Sequence, residues 1–128
     1  MACQIYCDED GARAEDLGVK YMANYYASVL KHYELAGDHF GNTAGYEYYS
    51  NVARSIQEHG ADEAQRFYAS LHVYGTPDQC VDRVAELREK VSCDHFIGIF
   101  RYGGIDFDDA KRNLQLFADK VHPRIKAM

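Results

Sequence analysis

The chain has 128 residues, 47% of them apolar, and a formal net charge of −6. That is enough for one domain with a real core, and the acidic balance argues against nucleic acid or an anionic membrane as a partner. No apolar run is long enough to span a bilayer and no signal-peptide pattern opens the chain, so the expected home is the cytoplasm.

The opening ACQIYC reads as a short strand ended by the acidic turn DEDG. From about Ala12 to Leu35 an apolar line through Leu17, Tyr21, Tyr25, Val29 and Tyr33 predicts a helix, which Gly37 and GNTAG break. Tyr46, Tyr49, Ala53 and Ile56 predict a second helix, with Gly60 as its stop. Asp62, followed three residues later by Gln65, reads as the cap of a third, whose stripe is Ala64, Phe67 and Tyr68. LHVYG then reads as a short strand.

The second half carries sharper signals. In YGTPDQCVDRVAELREKV, Thr76 is the expected N-cap, Pro77 the first helical residue and Gln79 the partner in a capping box. Cys80, Val84, Leu87 and Val91 make one apolar stripe. HFIGIF, from His95 to Phe100, is a continuous apolar run of the kind found in parallel strands buried on both faces. After the loop RYGG, Asp106 caps a last helix with the stripe Ala110, Leu114, Phe117 and Val121, closed by Pro123.

Strand, helices, strand, helix, strand, helix is the alternation of an α/β fold with a parallel sheet. Three such strands leave two apolar edges, which native chains avoid. Either more chain precedes Met1 or copies complete one another's sheets, which makes a homo-oligomer the expected form of a stand-alone chain. The four cysteines form no zinc-type pair: Cys3 and Cys7 are four apart, Cys80 and Cys93 are isolated, and buried thiols are the simpler reading. His32, Glu34, Asp38 and His39 do not make HExxH, and no metal is expected.

The stretch YGTPDQCVDRVAELREKVSCDHFIGIFRYGG, followed by DDAKRNLQLFADKVHPRIK, resembles the luciferase-like, flavin-dependent monooxygenases. The resemblance rests on Gly75-Thr76-Pro77, the strand to Phe100, Gly103-Gly104, and Leu116-Phe117-Ala118 with Val121 and Pro123. YYASVLKHYELAGDHF and GYEYY resemble the region after the sixth barrel strand. The resemblance implies a partial (β/α)8 TIM barrel, helix-rich with parallel strands. Residues 1–128 form one incomplete domain, with a strand and helical insert over 1–74 and the last βα units over 75–128. A complete barrel needs roughly 250 residues. The family uses reduced FMN or the deazaflavin F420, and its flavin-using members insert an oxygen atom into a small organic substrate. Much of its flavin pocket lies on earlier strands, so neither cofactor is expected to bind this chain tightly, and the rest of the barrel becomes its expected partner.

Active sites of such barrels lie in the loops after the strands. That makes Arg101, Tyr102, Gly103 and Gly104 the expected cofactor contacts, with a tight turn as the competing explanation of the glycines. Tyr46, Glu47 and Tyr48 are the expected substrate wall, set against ordinary amphipathic patterning. No catalytic set can be placed from spacing. A non-catalytic self-associating βα module and a barrel-completing subunit stand as alternatives.

Overall fold

A computed structural model describes residues 1–128, the side chain of Asp38 excepted. The elements are β1 (Ala2–Cys7), α1 (Gly11–His32), a 3-10 turn (Asp38–Asn42), α2 (Glu47–His59), α3 (Ala61–Ser70), β2 (Val73–Gly75), α4 (Pro77–Val91), β3 (Ile97–Ile99), α5 (Phe107–Lys120) and α6 (His122–Lys126). Local chemistry explains most starts. Asp10 accepts from the N–H groups of Ala12 and Arg13, Thr76 and Gln79 form the reciprocal box, and Asp106 accepts from Asp108. Asp62 is not a cap. Gly60, at φ +89°, both ends α2 and opens α3, a backbone conformation suited to glycine. Pro123 likewise lies in the first turn of α6 instead of closing the chain's last helix.

The fold is α/β, helix-rich, with three parallel strands in the order β2-β1-β3. Consecutive barrel strands would lie in chain order, with β2 in the middle; here β1 is central. The reason is length. β1 has six residues and its neighbours three each, so Ile5–Cys7 pairs with Val73–Gly75 while Ala2–Gln4 pairs with Ile97–Ile99.

Alternation along β1 sorts the core into two layers. Cys3, Ile5 and Cys7 pack with Val73, with Val84 and Leu87 of α4, and with Phe117 of α5. Tyr6 points the other way and packs with Ala14 and Met22 of α1, Ala69 of α3 and Tyr102. The buried line of α1 is Ala14, Gly18 and Met22, one position away from the aromatic stripe that the sequence favours. Small residues win because the helix lies close to the sheet: a Cβ on Gly18 would sit 2.8 Å from Tyr74 Cβ. HFIGIF is also not buried on both faces. Phe96 and Phe100 join the core, but Ile97 is 61% exposed, because α1 packs over β1 and β2 and leaves that face of β3 uncovered.

Because each neighbour pairs with only half of β1, two half-edges remain, and side chains occupy both. Toward β3, the Cys7 N–H donates to Asn113 Oδ1 at 2.8 Å and Asn113 Nδ2 donates to the Ile5 carbonyl at 2.7 Å. Toward β2, the Gln4 N–H donates to His72 Nδ1 at 3.2 Å. Asn113, only 2% exposed, thus does the work of a strand from the face of a helix.

Replacing Asn113 with Leu keeps the branched side-chain shape and strands two buried backbone groups, so urea unfolding should show a loss of about 2–4 kcal/mol. His72 gives a pH signature. Burial, then the neighbouring Arg83 guanidinium, lower it from 6.5 to about 4. The unfolded chain therefore takes up a proton that the folded chain refuses. Stability is full above pH 6.5 and falls as the pH drops toward 4, by on the order of 1–2 kcal/mol once partial exposure is allowed for. His72→Asn, which keeps an acceptor but cannot titrate, should flatten the change in urea midpoint between pH 7 and 4.5.

Candidate functional site

All three strands run parallel, so the loops after β1, β2 and β3 converge at one end of the sheet. The loop after β1 carries Asp8, Glu9 and Asp10. Arg13, in the first turn of α1, pairs with Asp8 at 3.3 Å and with Asp109 of α5 at 3.4 Å, and Asp109 also binds Arg112. Asp8, Glu9, Arg13 and Arg112 line an open cleft of about 640 Å³ between the β1 loop and α5, with Lys111 and Lys120 on its wall. Carboxylates neutralise both guanidiniums there, so the network joins α1 to α5 across the end of β1.

The loop after β3 holds the four expected cofactor residues, and their side chains diverge. Arg101 is exposed, with its guanidinium 5.8 Å from the centre of the Phe107 ring. Tyr102 is buried in the layer beneath α1, its hydroxyl has no protein partner, and burial pushes the phenol well above its ordinary range. Gly103 is pressed against α1: its φ is +56°, and an added Cβ would lie 1.9 Å from the Tyr21 carbonyl oxygen. Asn24 Nδ2 donates to the Gly103 carbonyl at 3.4 Å. Gly104, at φ +85°, faces open space. One accessible side chain and one open backbone position remain for a flavin, too few to enclose a ring system.

Tyr46, Glu47 and Tyr48 lie elsewhere, at the start of α2. Tyr46 stacks against Phe40 and lies beside Tyr49. Glu47 accepts from the Gly45 N–H at 3.1 Å, and the backbone N–H groups of Glu47 and Gly45 hold its carboxyl below the usual range; it serves its own helix end. Tyr48 is the member of the three that lines a cleft, of about 470 Å³, between α1, α2 and α3. Among the described residues no hydrogen bond, ion pair or ring contact joins these three to the loop after β3. Between the two groups stand the tyrosines of α1 and α3, linked through Tyr68, whose ring lies 4.5 Å from Tyr26 and 6.0 Å from Tyr25.

Sequence reasoning missed the other walls of that cleft, Phe67 and His59 above all. Phe67 falls on the apolar stripe that the sequence gives α3, yet it is 66% exposed, and nothing in its spacing sets it apart from a core residue. Also missed is an apolar groove of about 550 Å³ beside β3, lined by Phe96, Phe100, Leu114 and Met128 among others. Cys3, Cys7 and Cys80 are buried free thiols. Contact with Cys7, then burial, pushes the Cys80 thiol up. No group of His, Cys, Asp or Glu suited to a metal ion occurs among the described residues. For His32, Glu34, Asp38 and His39 the Asp38 side chain lies outside them. Among the described residues no helix is long and apolar enough to cross a membrane.

The loop after β3 yields a direct comparison. Gly104→Ala should cost only the penalty of a left-handed alanine, about 1–2 kcal/mol. Gly103→Ala must also move the loop off α1 and should cost at least about 2 kcal/mol more in thermal or urea unfolding. Equal costs would show that Gly103 is not a docking residue.

In comparison with known proteins, no family model matches the chain, and no curated protein matches it.

Proposed function

We propose that the chain is the C-terminal segment of a luciferase-like, flavin-dependent monooxygenase, an oxidoreductase that uses reduced flavin and O₂ on a small organic substrate in the cytoplasm, and that it is inactive alone. The reading draws on the stretch from Gly75 to Pro123. There the capped α4, β3, a loop with two left-handed glycines and the capped α5 follow in the family's order. The observation that carries incompleteness is the sheet. Three parallel strands leave β3 with an outward-facing Ile97 and leave two half-edges of β1 to single side chains.

In the complete barrel of this reading, β3 stands beside β2, and another strand takes the half-edge of β1 that β3 holds here. The earlier strands supply most of the flavin pocket, and the loop after β3 contributes Arg101 and the Gly104 backbone to its rim. The flavin brings the oxygen chemistry, and the protein positions it and keeps it dry. A second reading, a module that pairs with its own copies, is favoured by the exposed apolar edge of β3.

Titration of the purified chain with FMN, followed by flavin fluorescence, should show no saturable binding below roughly 100 μM. Joining the chain to the missing barrel strands should bring binding into the micromolar range or below. Micromolar binding by the chain alone would overturn its incompleteness. A stable dimer that stays flavin-free in both forms would favour the second reading.

A further inference from the structure

The cleft between α1, α2 and α3 is walled by rings. Tyr26 and Tyr68, both in the lining, stack with centroids 4.5 Å apart and planes within 10°, while Tyr25, outside the lining, lies 6.0 Å from Tyr68. Tyr48 and Phe67 stand at the opening, 73% and 66% exposed, with Leu71 at 46%. Large apolar side chains left in water together around a concavity mark a binding surface more often than a chance of packing. The volume of about 470 Å³ lies in the range of small-molecule sites.

The polar groups narrow the ligand. His59 Nδ1 lies 3.0 Å from the Ser55 carbonyl oxygen. A carbonyl can only accept, so Nδ1 donates, and in the neutral ring Nε2 is left as an acceptor. Glu63, also on the wall, is a carboxylate with no ion-pair partner among the described residues. Burial, with Tyr25 and Tyr26 nearby, raises the Tyr68 phenol to about 12, so it stays neutral. The cleft thus offers faces for stacking, His59 Nε2 and the Glu63 carboxylate as acceptors, and hydroxyls of Tyr26, Tyr48, Tyr68 and Ser55 that can donate or accept, and its one carboxylate repels anions. Rings prefer offset or edge-on neighbours at 4.5–7 Å, which an aliphatic ligand of the same bulk cannot exploit.

We propose that the cleft formed by Tyr26, Tyr48, His59, Glu63, Phe67 and Tyr68 is a binding site for an uncharged planar aromatic molecule carrying a hydroxyl or N–H donor, such as a fused bicyclic phenol. The cleft carries this without any flavin, and no arm of its test contains one. A failure here leaves the monooxygenase reading standing, and the reverse holds too.

The probe is a naphthol, added to the full chain and followed by saturation-transfer NMR and calorimetry. Saturable binding near 0.1 mM is expected, the affinity typical of a fragment that size. Phe67→Ala, an exposed position that can be truncated without disturbing the core, should weaken binding about tenfold, and Tyr48→Ala should do likewise. Tyr33→Ala, exposed and outside the cleft, should leave it unchanged. The methyl ether, which lacks the donor, and the fully saturated alcohol, which lacks the rings, should each bind about tenfold more weakly. No saturable binding by millimolar naphthol would overturn the site. Equal binding of the saturated alcohol would overturn the aromatic class, and equal binding of the ether would overturn the donor requirement. A naphthol-insensitive dimer that Phe67→Ala converts to monomer in sedimentation would overturn the small-molecule site and give the cleft to a second copy.

Discussion

Strand β1 is shared by two partners that each take half of it, and the backbone groups left over determine how the helices attach to the sheet. Asn113 closes one half-edge from α5 and His72 closes the other from the turn before β2. An unpaired N–H or C=O in that setting costs as much as a lost buried hydrogen bond. α5 is therefore held by directional bonds as well as by Phe117 and Val121. With α5 so fixed, Asp109 meets Arg13 and the loop after β3 is pressed onto α1.

The two faces of the sheet differ in kind. The α4 and α5 side is aliphatic and sulfur-rich, and its polar atoms are largely paired. The α1 and α3 side is aromatic, and it buries the hydroxyls of Tyr6 and Tyr102 and Gln4 Oε1 without protein partners. Polar atoms of that sort hold bound water or face surfaces that other groups complete. Two of the open features, the exposed Ile97 of β3 and the ring-walled cleft, lie toward this aromatic side, while the apolar groove beside β3 opens on the α4 and α5 side.

The candidate site divides for the same reason. The residues after β3 are fixed by the end of the sheet. Those at the start of α2 are carried past it by α1, which spans 22 residues and at 1.5 Å per residue reaches about 33 Å. The rings of Tyr25 and Tyr26 contact Tyr68, and among the described residues no ring contact carries on from them to either region.

Much of the fold was legible because its signals are local. Thr76, Pro77 and Gln79 specify the start of α4 whatever surrounds them, and Asp106 does so for α5. ACQIYC marked a strand, and the run of elements gave a parallel α/β class. What stayed hidden depends on contacts between distant residues. Hydrophobicity chose Leu114 for the buried line of α5, yet the line runs through Asn113, because only a side-chain amide can pair with the edge of β1. It chose Tyr21 and Tyr25 for α1, while the close sheet required Gly18. Strand order was equally invisible, since chain sequence does not say which edge of β1 each short strand takes. The sequence determined where the capped helices begin and which elements are apolar; strand pairing decided that β1 is central, and helix packing decided that Ile97 and Phe67 face water and that a ring-lined cleft opens between the helices, because both depend on contacts between residues far apart in the chain.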